Sequence, residues 1–305
     1  MKWKELSNSP CNLCPRNCMA KRREGETGYC LSKDKIKVAR AALHMWEEPC
    51  ISGDQGSGAV FFSGCNLRCV YCQNFEIASA GKGKEVTVER LGEIFLSLQE
   101  KGAANINLVT PDHYVPEIAQ AVLLAREQGL RLPVIYNGSG YEKREAIERL
   151  RGIVDIFLTD FKYMEEELAG RYSFAPDYPQ VAKEALAAMV EITGEPSFDD
   201  KGMMQKGVIV RHLLLPGHKR NAKKVIRYVY DTYGDGVFLS LMNQYTPFER
   251  LKDRKDCGNL CRRVTRREYD EVVDFAISLG VINAFVQEGE TAKESFIPAF
   301  DGEGV

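Results

Sequence analysis

No stretch of this 305-residue sequence approaches the ~20 consecutive apolar residues that a bilayer-spanning helix needs. The opening residues, Met1 to Cys11, lack the apolar centre of a secretion signal. Both absences predict a cytoplasmic protein with no membrane partner. An excess of positive charge is missing too: the formal net charge is −2, which argues against nucleic acid as a partner. The basic stretch from Arg250 to Arg267 is interleaved with Asp253 and Asp256 and follows Glu249, so it reads as solvated surface. The segment Gly53–Gly58 lacks the Lys-Ser/Thr ending of a phosphate loop, which speaks against nucleoside-triphosphate binding. Repeats and low-complexity tracts are absent as well.

Cysteine, by contrast, is plentiful. Of ten cysteines, eight fall within the first 72 residues, and the others are Cys257 and Cys261. In a reducing compartment, clustered cysteines act as metal ligands or catalytic groups more readily than as disulfides. Two clusters stand out: Cys11, Cys14, Cys18 and Cys30, and then Cys65, Cys69 and Cys72 in "GCNLRCVYC".

From residue 85 onward, helix-like and strand-like patterns alternate. Val86–Gly102 carries Leu91, Ile94, Phe95 and Leu98 at helical spacing behind Thr87 as N-cap, and Ile106–Thr110 is a short apolar run stopped by Pro111. Further strand-like runs span Leu132–Asn137, Val154–Lys162, Gly207–Gly217 and Gly236–Tyr245, separated by helical patterns. Thr265 and Glu268 are spaced as a capping box before the last helix. With Ala59–Ser63 as the first strand, six β/α units result. Near-continuous apolar strands joined by helices imply an α/β fold with a parallel sheet covered on both faces, a barrel or an open partial barrel. We expect a Cys-rich metal-binding module over 1–50 and the barrel with a C-terminal extension over 51–305. Ligands gather at the carboxyl ends of strands in such folds, and Cys65 to Cys72 follow the end of the first.

Three thiolates on one tight loop leave a closed zinc site a ligand short. A [4Fe–4S] cluster held by three thiolates instead keeps one iron open to a small ligand. "CNLRCVYC" has the Cys-x3-Cys-x2-Cys spacing of radical S-adenosylmethionine (SAM) enzymes. With "KEVTVERL", "LTDFK" and "VRHLLLPG", the sequence resembles pyruvate formate-lyase activating enzymes and their relatives with a Cys-rich leader, over about Ser57 to Gln287. The resemblance implies a partial (β/α)6 barrel with the cluster on Cys65, Cys69 and Cys72. It implies an oxygen-sensitive oxidoreductase that cleaves SAM to methionine and a 5′-deoxyadenosyl radical, which abstracts a hydrogen atom. An electron donor such as flavodoxin or ferredoxin is implied as a partner. Tyr71 matches a position that packs on adenine, and Asp160 and Lys162 match an Asp-x-Lys element that contacts SAM. Arg211 matches another family position; it alternates away from His212, so one of the two should face the lumen.

The sequence departs from the family in places. Relatives hold the SAM amino group with Gly-Gly-Glu after the second strand, where this chain reads "LVTPDHY", leaving Thr110 and Asp112 as oxygen donors. "YNGSGY" replaces a polar turn near the ribose, with Asn137 and Ser139 as candidates. His113 has no family counterpart; it is either a catalytic rim histidine that shuttles protons or binds substrate, or a satisfied structural one. His44, Trp46, Glu47 and Glu48 are expected at the substrate entrance. The four N-terminal cysteines lie on a segment too short to bury a core unaided and suit either zinc or a fully ligated iron–sulfur cluster. Cys50, Cys257 and Cys261 read as ordinary cysteines. Three functions stay open: activation of a glycyl-radical enzyme, modification of a small molecule or peptide, and non-catalytic metal binding.

Overall fold

The apolar runs become strands of a single curved sheet, which the computed structural model describes over residues 10–79, 81–287 and 298–305. The strands are β1 (Ile36–His44), β2 (Ser57–Phe62), β3 (Lys84–Val86), β4 (Ile106–Val109), β5 (Val134–Gly138), β6 (Ile156–Asp160), β7 (Ser197–Phe198), β8 (Met204–Leu213), β9 (Phe238–Met242) and β10 (Ala284–Val286). Their order is β10-β9-β8-β6-β5-β4-β2-β1-β3, with the short β7 off this path beside β8. From β10 to β2 every pairing is parallel. β1 runs antiparallel to both β2 and β3. The helices are α1 (Pro49–Ser52), α2 (Phe75–Ala78), α3 (Val88–Glu100), α4 (Val115–Glu127), α5 (Arg144–Glu148), α6 (Glu166–Ser173), α7 (Tyr178–Thr193), α8 (Lys219–Tyr233) and α9 (Arg266–Leu279). No helix among the described residues is long and apolar enough to cross a membrane.

Local chemistry sets these elements. Thr87 caps α3 by accepting from the Arg90 N–H at 3.1 Å, and Thr265 and Glu268 close the expected capping box on α9. Leu91, Ile94, Phe95 and Leu98 are buried along one face of α3, each contributing roughly 1.5–3 kcal/mol by leaving water. The central strands β2, β4 and β5 are buried along their whole length, as a sheet covered on both faces requires.

The partial barrel is as expected, with four strands more than the sequence patterns indicate: β1, β3, β7 and β10. β1 falls inside the 1–50 segment, yet Val38 pairs with Phe62 and His44 with Ser57, so it is part of the barrel's sheet. β10 continues the parallel set beyond the sixth unit, with Ala284 opposite Leu239. Neither has a clear period: β1 buries residues on both faces, and β10 has three residues, too few for alternation to show. The last residues return to β1, where the Ala41 N–H donates to Glu303 O at 2.9 Å. Residues 1–9 of the Cys-rich segment lie outside the described ones.

Candidate active site

β2 delivers the three-cysteine loop to the carboxyl end of the sheet. Gly64, between strand and loop, has φ +96°, and a Cβ there would lie 2.5 Å from Cys30 O and 2.7 Å from Ser32 Oγ. Only glycine fits this approach of the N-terminal segment. Leu67 is fully buried beneath the loop. Arginines from distant parts of the chain fasten its backbone. Arg16 donates to Asn66 O at 2.7 Å and Leu67 O at 3.2 Å; Arg250 donates to Val70 O at 3.2 Å and Cys72 O at 3.0 Å. Arg250 also lies 4.3 Å from the Phe75 and Phe248 ring centroids. Arg250, exposed as the solvated-surface reading of the Arg250–Arg267 stretch expects, thus also fastens the loop.

Cys65, Cys69 and Cys72 line one cavity of about 600 Å³. Tyr71, Thr110, Asn137 and Ser139 share its wall, as do Asp160, Lys162 and Arg211. Seven of the eight residues expected to hold the cofactor thus converge with the thiols. An ionic chain crosses the cavity wall. Lys162 pairs with Asp160 Oδ2, Asp160 Oδ1 lies 3.4 Å from Arg211 Nε, and Arg211 Nη1 lies 3.1 Å from Glu47 Oε2. Arg211 also donates to Asn137 Oδ1. Burial opposes charge on Asp160, but Lys162 and Arg211 outweigh it and hold the carboxyl below its usual range. Burial equally opposes the Lys162 ammonium, and Asp160 more than offsets it, so its pKa is raised. Glu47, expected only at an entrance, is part of this chain. Glu48 beside it is buried, which pushes its carboxyl up despite Arg211, and its Oε2 has no hydrogen-bond partner.

Of the Arg211–His212 pair, Arg211 faces the cavity, whereas His212 Nδ1 lies 2.7 Å from Phe161 O. Tyr71 lines the cavity, and its hydroxyl starts a buried relay. Tyr71 OH is 2.7 Å from Tyr163 OH, Tyr163 OH is 2.8 Å from Ser173 Oγ, and Ser173 Oγ is 2.9 Å from Cys69 Sγ. The Ser139 hydroxyl donates to Asn66 Oδ1 at 3.3 Å, tying the turn after β5 to the cysteine loop. Thr110 has φ +58°, a genuine outlier for a β-branched residue; it stands where relatives are expected to have glycine.

Asp112 and His113 are corrected: neither lines the cavity. Asp112 is buried behind the rim, accepting from Tyr136 OH at 3.1 Å. His113 Nε2 is 2.7 Å from Ser63 O, and its ring lies 4.2 Å from that of Tyr114. Burial pushes its pKa down to about 4, so it stays neutral. Its Nε2 has a partner but its Nδ1 is buried without one, so it is a buried, half-satisfied histidine away from the cavity. The turn at Thr110 and Pro111 carries the chain back into the protein before either residue can reach the rim.

The N-terminal cysteines do not touch this cavity but approach one another. A Cβ on Gly28 would lie 3.4 Å from Cys30 Sγ and 3.6 Å from Cys18 Sγ. Burial pushes the Cys14 thiol up to about 12, with Cys30, Cys11 and Cys18 adding repulsion. Cys50 and Cys257 are buried and Cys261 is exposed, all three as free thiols.

A family profile described as the radical SAM superfamily matches residues 59–229. The chain belongs to the radical SAM superfamily. An uncharacterized protein of Methanocaldococcus jannaschii is 26% identical over 273 residues, which cover 87% of this chain and 74% of that protein. The pyruvate formate-lyase-activating enzyme of Clostridium pasteurianum is 30% identical over 113 residues, covering 35% of this chain and 46% of that one. Among solved structures, a radical SAM methyltransferase from Sphaerobacter thermophilus matches with a TM-score of 0.50 at 18% identity, over 76% of this chain and 66% of its own; that likeness shows a shared fold.

Superfamily membership implies a [4Fe–4S] cluster and SAM, and the residues present fit both. Burial, with repulsion from Cys69 and Cys72, raises the Cys65 thiol, and burial pushes Cys72 up to about 12. Three such thiols ionise only when a cationic group shares the site. Among the described residues no three His, Cys, Asp or Glu side chains converge tightly enough for a single ion.

Proposed function

We propose that the protein reductively cleaves SAM in the 600 Å³ cavity and directs the resulting radical at a hydrogen atom of a second substrate. The observation that carries this is the convergence of three thiols from one loop with polar side chains from the ends of β5, β6 and β8 in a single cavity. When bound to Cys65, Cys69 and Cys72, the cluster supplies the electron that breaks a sulfur–carbon bond of SAM. Lys162 and Arg211 bring positive charge to the cavity for the SAM carboxylate, and Asp160 and Glu47 bring negative charge for its ammonium. Because these four are already paired with one another, their side chains need little reordering on binding. Tyr71 offers an aromatic face for adenine, and the apolar walls at Phe61, Ile77 and Phe285 keep water from the reactive end.

For the second substrate we favour a glycine hydrogen in a partner protein, which makes the chain an activase of a glycyl-radical enzyme. The supporting finding is the similarity to a pyruvate formate-lyase-activating enzyme across about a third of the chain. A flavodoxin- or ferredoxin-type protein in the cytoplasm would supply the electron. The N-terminal thiols would hold a second metal centre in a module over 1–50. Anaerobic reconstitution followed by reduction with dithionite should release 5′-deoxyadenosine from SAM; none from an iron-replete protein would sink the reading. A glycyl-radical signal in a co-expressed partner would establish the substrate class, and deoxyadenosine formation without that signal for any partner glycine would redirect it to a small molecule or peptide.

A further inference from the structure

Two adjacent glutamates follow β1, and the fold treats them differently. Glu47 Oε1 accepts from Asn107 Nδ2 at 2.9 Å and from Asn137 Nδ2 at 3.4 Å, and its Oε2 lies 3.1 Å from Arg211 Nη1. Both of its oxygens are engaged within the protein. Glu48 lines the same cavity and is only 7% exposed, yet its Oε2 has no hydrogen-bond partner. Ser240, on β9 and also on the cavity wall, faces this carboxyl. The backbone beneath Glu48 is fixed. Its carbonyl accepts from the Ile51 and Ser52 N–H groups at 2.8 and 3.0 Å, with Pro49 opening α1 directly after it. Ile51 is fully buried, and its own carbonyl accepts from Asn105 Nδ2 at 2.7 Å. A carboxyl group on so firm a base does not swing out to bulk water for a partner.

Among the described residues, the wall near Glu48 is one cation short. Asp160 lies between Lys162 and Arg211, and Glu47 shares Arg211, so two cations already serve two carboxylates. Arg68, also on the wall, is turned to the N-terminal segment, where it donates to Tyr29 O at 2.6 Å and lies over the Tyr29 ring. Burial, with Arg40 and Arg211, keeps the His44 imidazole below its usual pKa, so it brings no charge. SAM does not fill the gap either. Its amino-acid end carries one charge of each sign, and its sulfonium must lie against the cluster that reduces it. A buried carboxylate oxygen without a donor is unfavourable, and an N–H cation entering the cavity relieves it.

We infer that Glu48 determines specificity for the second substrate, selecting one that carries a protonated nitrogen, an ammonium or guanidinium group, to pair with its free oxygen. This rests on the proposed radical reaction and names the chemistry of the molecule that gives up the hydrogen atom. Glu48 anchors and does not react. The ion pair holds the substrate by its nitrogen, and the hydrogen to be abstracted sits on a carbon turned toward the thiol loop. Phe61 and Phe285, on the same wall, suit the carbon chain between the two. Selection follows from desolvation: an analogue with a hydroxyl in place of the nitrogen leaves the carboxylate without its counter-charge.

The test uses the full-length chain, reconstituted anaerobically and kept oxidised, with binding read by saturation-transfer nuclear magnetic resonance. The probes are n-butylammonium, n-butylguanidinium and uncharged n-butanol, each with and without saturating SAM. We expect at least one cation to bind about tenfold or more tightly than butanol, with SAM present as well as absent. Glu48→Gln, which keeps the shape and removes the charge, should erase that preference. Equal binding of cations and butanol by the unmodified chain overturns the inference without recourse to any variant. Displacement of the cation by SAM overturns it too, because Glu48 would then belong to the cofactor. So does a cation preference that survives Glu48→Gln. Should that variant fail to fold, Glu48→Asp, which draws the charge back by one methylene, should weaken the cations and leave butanol unchanged; an equal change in both overturns the inference. Absence of deoxyadenosine from an iron-replete protein would break the radical reading and leave the cation site standing.

Discussion

The two cysteine groups of this chain touch, but different forces hold them. Cys65 to Cys72 hang from the end of β2, a strand paired on both sides and buried along its length. Leu67 beneath the loop, with Arg16 and Arg250 on its carbonyls, fixes the rest. Cys11 to Cys30 have little of this. Their segment contains one short 3-10 turn, Arg22–Glu24, and isolated backbone bonds such as Cys11 N–H to Ala20 O at 3.0 Å and Met19 N–H to Cys11 O at 3.0 Å. A loop on a sheet has its thiols arranged before any cofactor arrives. A segment without a ladder or a core depends on what its thiols bind.

Exchanging cysteines tests that contrast most severely. Cys65→Ala, Cys69→Ala or Cys72→Ala should abolish deoxyadenosine formation while hydrogen exchange in the parallel strands stays unchanged; loss of sheet protection would show that the loop, too, leans on its cofactor. Replacing Cys11, Cys14, Cys18 and Cys30 together should do the reverse. Bound metal can supply on the order of 10 kcal/mol to a small stapled segment, so amides of residues 10–33 should exchange fast with the sheet still protected. Equal protection in the variant would mean that Arg16 and the other contacts suffice alone.

Acid should act where the two regions meet. His113 backs Gly64 and the Cys30–Cys65 contact, and burial pushes its pKa from 6.5 down to about 4. His212, on β8, is pushed down to about 4 for the same reason. In the unfolded chain both take a proton near pH 6.5, so the unfolded state binds more protons between the two values. Each histidine's stabilising contribution is complete above pH 6.5 and falls away toward pH 4, a loss on the order of 3 kcal/mol apiece. His113→Gln should flatten that part of the pH–stability curve; an unchanged curve would place the acid sensitivity elsewhere.

Smaller effects belong to the cavity alone. Asp160→Asn removes the carboxylate shared by Lys162 and Arg211 and should weaken SAM binding by about 1.5–3 kcal/mol, or roughly ten- to a hundredfold, with the iron content intact. An unaltered dissociation constant by calorimetry would confine Asp160 to a structural role. Thr110→Gly should relieve a left-handed β-branched residue and raise stability by about 1 kcal/mol. A drop in the denaturation midpoint would show that the Thr110 side chain contributes more than its strain costs.

Much of the site was legible because spacing carries it. The three cysteines and the strand-end positions of Asn137 and Asp160 follow from spacing and register, whereas alternation left open which of Arg211 and His212 turns inward, and only the resemblance pointed to Arg211. Asp112 and His113 were misplaced because they lie in the turn that follows the strand, where no period applies. Their direction depends on the left-handed Thr110 and on Tyr136 and Ser63, partners 24 and 50 residues away. Arg16 and Arg250 carried no signal at all. Each fastens backbone carbonyls, and a carbonyl leaves no trace in the identity of the residue that bears it.

Hydrophobic period and thiol spacing are local properties, so the superfamily, the parallel sheet and the place of the three-cysteine loop could be read from the order of residues alone. Folding in three dimensions selected which polar groups share the cavity with those thiols and added β1 and β10 to the sheet. It also placed the carbonyl of Cys30 against the amide of Cys65. Those are contacts between segments tens to more than a hundred residues apart, set by packing and by hydrogen bonds whose partners no local pattern encodes.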